Sequence, residues 1–167
     1  MNFDFIKKIL KRFEKNDRID LEFLRSVEVF HNLNDDEIVK LHDMFIPKNF
    51  KKNEILFREN YPHVVLYIIK TGKVLIYLNL PKVKLPIREL ESKKHFGEIG
   101  IFTNVNRVSS VVALEDTELI AIKNTDMKQF IKNNPGTGVK LLYNLGKSTS
   151  NDLIAANSTI KEYETKK

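Results

Sequence analysis

Apolar residues in the first 45 positions recur at the spacing of amphipathic helices. One stripe, interspersed with lysines, predicts a helix near the N-terminus: Phe3, Ile6, Ile9, Leu10 and Phe13. A second stripe runs from Ile19 to Val27. A third helix is predicted after Asn34, because Asn34 and Glu37 have the spacing of a capping box and apolar residues follow at helical intervals.

From about residue 46 the apolar period changes to two, which is typical of strands. Turn residues such as Thr71-Gly72-Lys73 separate the segments. The predicted strands are 46–50, 54–57, 64–69, 74–78, 83–90, 108–114 and 118–122. Short strands at this spacing predict a β-sandwich, a jelly roll or a small barrel.

The last third of the chain returns to a helical pattern. Asn124 or Thr125 is placed to cap a short helix through Ile131, and the segment 133–136, which contains Pro and Gly, ends it. A further helix is predicted over 139–145, then a break at 148–151 and a last helix over 153–160. The charged residues 161–167 are expected to fray. The order of elements is therefore helices, β-structure, helices.

Composition narrows the function only modestly. The chain has 167 residues, no cysteine and a formal net charge of +6, so anionic partners are plausible and disulfides are excluded. The four histidines lack metal-ligand spacing, and we expect no metal, cofactor or catalytic activity. No apolar run is long enough to span a bilayer, and we expect a cytoplasmic protein.

The segment 96–111 concentrates the groups that a phosphorylated sugar would need. Two glycines flank Glu98 at the start of an apolar turn, and Arg107 follows nine residues later. Glycine allows close approach of the backbone, a helix start offers free N–H groups, and arginine binds two phosphate oxygens at once. The alternative is a strand-to-helix corner with a surface ion pair between Glu98 and Arg107.

The same segment resembles the phosphate-binding cassette of the cyclic nucleotide-binding domain family. The matching segments are Phe96-Gly97-Glu98-Ile99-Gly100-Ile101-Phe102 and Arg107-Val108-Ser109-Ser110-Val111. Residues 50–59 resemble the family's second and third strands, and 66–74 its strand–Gly–strand hairpin. The resemblance implies a mainly β fold, a jelly-roll β-barrel with N-terminal and C-terminal helices, over about residues 24–160. Residues 1–23 would then form a helical extension and 161–167 a charged tail.

By this resemblance, Glu98 accepts a hydrogen bond from the ribose 2′-hydroxyl and Arg107 pairs with the cyclic phosphate. Backbone N–H groups complete the phosphate site, which comprises Gly97, Ile99, Gly100, Val108 and Ser109. Val108 follows the arginine, where family members selective for cyclic GMP often have a threonine whose hydroxyl reaches the guanine. Valine has no hydroxyl, so the resemblance favours cyclic AMP over cyclic GMP.

The resulting hypothesis is a stand-alone regulatory module for signal transduction that binds cyclic nucleotide and acts through a protein effector or through self-association. We expect no direct DNA binding, because the family's transcription factors carry a recognition helix after the last long helix and this sequence stops first. The alternative is a degenerate form of the same fold that serves as a protein-interaction scaffold without binding nucleotide. Val108 and the altered turns, among them Glu59-Asn60, depart from the family pattern and motivate that alternative.

Overall fold

In the computed structural model, residues 21–165 are described, with side chains described through Lys161. The predicted stripe from Phe3 to Phe13 lies outside the described residues. The helices are α1 (Leu21–Ser26), α2 (Asp35–Leu41), α3 (Ile99–Phe102), α4 (Asn124–Asn133) and α5 (Pro135–Thr165), with single 3-10 turns at Glu28–Phe30 and His42–Met44. The strands are β1 (Ile46–Phe50), β2 (Ile55–Phe57), β3 (Val65–Thr71), β4 (Lys73–Leu80), β5 (Val83–Glu91), β6 (His95–Phe96), β7 (Ser110–Ala113) and β8 (Thr117–Lys123).

The eight strands form two antiparallel four-stranded sheets, in the orders β1-β8-β3-β6 and β2-β7-β4-β5. This arrangement confirms the predicted jelly roll with flanking helices. The sequence of β8 is an almost continuous apolar run, and its position in the fold explains why. Leu119 belongs to the core between the sheets, and Ile120 and Ile122 belong to the core that includes the helices, so both faces of the strand are buried.

The capping box at α2 forms as predicted and also fixes the start of α5. The side chain of Asn34 accepts a hydrogen bond from the Glu37 N–H, and the Glu37 carboxylate accepts one from the Asn34 N–H. The same carboxylate accepts hydrogen bonds from Thr137 and Lys140 of α5. Leu141 then packs in the core, so the first half of α5 is attached to the body of the domain.

The predicted break at 148–151 is wrong, because α5 continues without interruption from Pro135 to Thr165. Within the helix, the Thr149 hydroxyl donates to the Leu145 carbonyl at 3.0 Å and the Ser150 hydroxyl donates to the Gly146 carbonyl at 2.8 Å. These bonds satisfy the hydroxyls inside a helix, so polar residues that suggest a cap need not end it. The helical backbone also runs into the tail that was expected to fray.

The start of α4 also differs from the prediction. Lys123 occupies the N-cap position, and the Asn124 side chain does not cap the helix. Its Nδ2 instead donates to the His63 carbonyl at 2.8 Å. Asn124 is therefore used to tie the helix to the loop before β3. Within the described residues, none of the helices has the length and apolar character needed to cross a membrane.

Candidate functional site

A cavity of about 670 Å³ lies between the α3 corner, the sheet containing β2, β4, β5 and β7, and the second half of α5. Several of its polar groups come from the segment that the sequence singled out, including Glu98 and Arg107. Its apolar wall includes Phe57, Ile76, Leu85, Pro86, Ile87, Leu153, Ala156 and Ile160. The cavity thus combines charged groups with walls that are largely hydrophobic.

Arg107 is buried, with 4% of its surface exposed, although it carries a positive charge. Its Nη2 donates to the Val65 carbonyl at 2.8 Å, and its guanidinium lies 3.8 Å from the centroid of the Phe57 ring. Nε and Nη1 are buried and have no hydrogen-bond partner among the described residues. Burial lowers the pKa of Arg107 to about 10, which leaves the side chain positively charged at neutral pH.

The backbone of Arg107 is held by the loop before β3. The Arg107 N–H donates to the Tyr61 carbonyl and the Asn60 N–H donates to the Arg107 carbonyl, both at 2.8 Å. Asn60 has a φ of 68°, so asparagine adopts the left-handed conformation at the Glu59-Asn60 turn. The altered turn therefore still forms the pair of bonds that orients Arg107.

Glu98 is also buried, with 8% of its surface exposed, at the N-cap position of α3. Burial raises the pKa of Glu98, and a hydrogen bond from its own backbone N–H acts in the opposite direction. No ion pair joins Glu98 to Arg107 among the described side chains, and neither is at the surface. The alternative of a surface ion pair is therefore wrong.

Gly97 is required by both its conformation and its surroundings. Its φ is +84°, and a Cβ at this position would lie 2.6 Å from Arg107 Nη1 and 2.8 Å from the Val65 carbonyl oxygen. Any larger residue would displace the guanidinium or the backbone of β3. The glycine thus lets the α3 corner and Arg107 lie against each other.

The remaining predicted site residues lie around the same corner. Ile99, Val108 and Ser109 line the cavity, and half of the Val108 surface, 51%, is exposed. Gly100 is not among the residues that line it. Its Cα faces His63 and Asn124, where a Cβ would lie 2.4 Å from Asn124 Nδ2. The N–H groups of Ile99 and Gly100 belong to the first turn of α3, where no intrahelical acceptor is available to them.

Sequence reasoning missed two further charged side chains that line the cavity. The Arg88 guanidinium of β5 makes a bidentate pair with the Asp152 carboxylate of α5, with Nη2 to Oδ2 at 2.8 Å. The pair joins the sheet to the second half of α5 across the edge of the cavity. Strand alternation places Arg88 on the same face as buried Leu90. The period of two in the sequence therefore indicated that the Arg88 side chain points inward.

His63 was also missed as a site residue. It lines the cavity, and its Nε2 lies 3.1 Å from the Gly97 carbonyl oxygen. The pKa of His63 is lowered to about 4, first by burial and then by the positive charge of Arg107, so the ring is neutral near pH 7. Its position depends on the course of the loop 58–64, and no periodicity in the sequence indicates it.

A family model described as the cyclic nucleotide-binding domain matches residues 47–134. The regulatory subunit of cAMP-dependent protein kinase from Dictyostelium discoideum is 30% identical over 105 residues, which cover 60% of this chain and 32% of that protein. The cGMP-dependent protein kinase of Plasmodium berghei is 31% identical over 100 residues, which cover 60% of this chain and 11% of that protein. This chain therefore matches only a minor part of either relative.

Solved structures show the same fold. A cyclic nucleotide-binding domain from Methylobacillus flagellatus KT superposes with a TM-score of 0.77 at 22% sequence identity, covering 92% of this chain and 84% of that one. The match extends beyond the residues of the family model, into the helices. Since the family model covers more than half of the sequence and its matched range contains Glu98 and Arg107, this chain belongs to the cyclic nucleotide-binding domain family.

Proposed function

We propose that this chain is a regulatory module that binds a cyclic nucleotide, cyclic AMP in preference to cyclic GMP, in the cavity beside Arg107. The observation that carries the proposal is the buried Arg107 guanidinium, whose Nε and Nη1 have no partner among the described residues. Burying an unpaired charge is costly, so a side chain kept in this state indicates a missing anionic partner. A cyclic phosphate has one negative charge and oxygens that suit the guanidinium.

The other cassette residues follow from this placement. Glu98 accepts a hydrogen bond from the ribose 2′-hydroxyl, as acidic residues do in other ribose sites. The N–H groups of Ile99, Gly100, Val108 and Ser109 complete the phosphate site around Gly97. Ionised Glu98 is the better acceptor, so binding of the sugar favours the form that burial disfavours in the free protein.

The base occupies the apolar part of the cavity, between β4–β5 and α5. Residues such as Ile76 and Leu153 offer contact to either purine face. Val108 lacks the hydroxyl through which a threonine would contact guanine, which supports the preference for cyclic AMP. The relatives described above include the regulatory subunit of a cAMP-dependent protein kinase and a cGMP-dependent protein kinase.

The response is carried by α5 and catalysis is not involved. In its second half the helix lines the cavity, and it also presents apolar side chains to solvent: Leu153, Ile154 and Ile160. A ligand that holds α5 against the cavity changes the presentation of these residues to a cytoplasmic protein effector or to a second copy of the chain. The size of that response is limited by the difference in ligand affinity between the two positions of α5. We assign this module to residues 24–160.

The test is calorimetric titration of the purified, nucleotide-free protein with cyclic AMP, cyclic GMP and 5′-AMP. The expected result is micromolar binding of cyclic AMP, weaker binding of cyclic GMP and weakest binding of 5′-AMP. The last nucleotide has the same base and sugar as cyclic AMP but an acyclic phosphate. No binding of either cyclic nucleotide to folded protein would contradict the proposal and support the interaction scaffold. Tighter binding of cyclic GMP would overturn the assigned preference alone.

A further inference from the structure

His63 lies at the junction of the cassette, Arg107 and α4. Its Nε2 is 3.1 Å from the Gly97 carbonyl oxygen. A carbonyl oxygen only accepts, so the neutral ring carries its proton on Nε2 and donates it to Gly97. Nδ1 is then a bare acceptor, and it is buried without a hydrogen-bond partner among the described residues.

The same residue also contacts the neighbouring elements. Its carbonyl accepts the hydrogen bond from Asn124 Nδ2 at the first residue of α4. Its Cδ2 would lie 2.8 Å from a Cβ placed on Gly100. His63 therefore packs against both glycines that flank Glu98, and its main chain is tied to the helices that follow the β-structure.

The contact with Gly97 bears directly on the geometry of the phosphate site. Arg107 Nη1 lies 2.6 Å from where a Gly97 Cβ would be. A hydrogen bond that fixes the Gly97 carbonyl therefore fixes the peptide against which the guanidinium rests. It also orients the following residue, Glu98.

We propose that His63 is a positioning residue of the nucleotide site, which holds Gly97 against Arg107 and gains a proton when the phosphate anion binds. The proposal rests on the proposed function and deepens it, since it assigns a role to a residue outside the cassette. It also predicts a coupling between nucleotide affinity and pH that the cassette arginine alone would not produce.

The sign of that coupling follows from the charges around the ring. Arg107, from the segment before β7, acts on the ring, and Glu98, from the α3 corner, lines the same cavity as His63. Lys123 and Lys128 line the neighbouring cavity that His63 also borders. In the free protein, burial and Arg107 keep the pKa of His63 at about 4. A bound anion offsets the charge of Arg107 and raises the pKa of His63, so protons are taken up on binding. Affinity then increases as pH falls from neutral towards the free pKa.

The experiment compares His63→Ala and His63→Gln with the parent by calorimetric titration of cyclic AMP at roughly pH 5.5 and 7.5, a range set around the ordinary histidine pKa. His63→Ala should bind about tenfold more weakly at the higher pH, the usual effect of losing one hydrogen bond. The amide of His63→Gln can still donate to Gly97 and should restore most of that affinity. The parent should gain affinity at the lower pH relative to His63→Gln, which cannot take up the proton.

Protonation of Glu98 and of the nucleotide is common to the parent and His63→Gln, so the difference between them isolates His63. His31→Gln, a change at an exposed histidine, is the matched control and should behave as the parent. If His63→Ala does not fold, ¹⁵N NMR of the parent gives the second readout. The free ring should be neutral with its proton on Nε2, and added cyclic AMP should shift its signals towards the imidazolium form.

Equal affinity of His63→Ala and the parent would overturn the positioning role. Parallel pH profiles of the parent and His63→Gln would overturn the proton uptake, as would unchanged ¹⁵N signals on addition of ligand. Each of these three results leaves the proposed function standing, because the parent still binds. If the parent binds neither cyclic nucleotide, the proposed function fails and this inference fails with it.

Discussion

At the scale of single residues, the site holds two ionisable groups in states that cost stability in the free protein. Arg107 and Glu98 are both buried. Burial lowers the pKa of Arg107 and raises the pKa of Glu98, so it favours the neutral form of each. Neither is neutralised by an ion pair with the other among the described residues. Groups that destabilise the free fold but suit a sugar phosphate are the signature of a binding site.

Glu98→Gln tests this trade-off directly. Because burial raises the pKa of Glu98 in the fold, stability from this group is greatest at low pH and is lost as pH rises through the unfolded and then the folded pKa. Removing the charge should therefore raise the thermal midpoint at pH 7 and leave it little changed at pH 4. The same variant should bind cyclic AMP more weakly, by about 1.5–3 kcal/mol for a hydrogen bond to a charged acceptor.

Calorimetry and thermal unfolding at the two pH values check the prediction. A variant that is less stable at pH 7 than the parent would show that the Glu98 carboxylate stabilises the free fold. Unchanged affinity would remove Glu98 from the site.

Gly97→Ala tests the close approach between the α3 corner and Arg107. The added Cβ would lie 2.6 Å from Arg107 Nη1 in a residue with φ of +84°, so we expect a loss of stability of about 1–3 kcal/mol and a marked loss of nucleotide affinity. Gly146→Ala is the matched control. Apart from the neighbouring residues and the backbone of the helix itself, no atom lies within 4 Å of a Cβ at Gly146 in α5, so this change should stabilise the helix by about 0.5–1 kcal/mol.

Urea unfolding and nucleotide titration of the two variants separate these effects. Equal behaviour of Gly97→Ala and Gly146→Ala in both measurements would show that the corner tolerates a side chain and that the packing argument is wrong.

At the scale of elements, α5 has two halves with different attachments. The first half is held by core residues such as Leu141 and Leu145 and by Asn144, whose Nδ2 donates to the carbonyls of Val29 and His31. The second half is exposed along most of its length and is joined to β5 by the pair between Arg88 and Asp152. Local opening should therefore begin in the second half, where few contacts oppose it.

Asp152→Asn removes the charge from this connection. We expect faster amide hydrogen exchange over residues 149–160, by roughly fivefold for a loss of about 1 kcal/mol in a partly exposed pair, and no change over 139–145. Asp116→Asn is the control, because it removes an exposed ion pair with Lys51 in which no residue of α5 takes part. Unchanged exchange over 149–160, or a change in both halves of α5, would contradict the two-part description.

At the scale of the whole molecule, the positions of the strands and of the cassette follow from sequence patterns, whereas the choice of a jelly roll came from the family resemblance. The period of two located the strands from β1 to β8 apart from the short β6, and the glycines around Glu98 located the corner. The course of α5 did not follow, because Thr149 and Ser150 bond within a helix as readily as they cap one. His63 and Asp152 reach the cavity through tertiary contacts of a loop and a helix, which local periodicity does not encode.

Titration of cyclic AMP into Arg107→Ala beside the parent tests whether the buried guanidinium binds the nucleotide. Losing one partner of a buried charged contact costs about 2–5 kcal/mol, so affinity should fall by at least roughly 30-fold. Arg25→Ala is the matched control, since it removes an exposed arginine paired with Asp35 and should bind as the parent. Loss of binding in Arg107→Ala alone is the predicted result. Parent-like binding by folded Arg107→Ala would show that the cavity beside this guanidinium is not the nucleotide site.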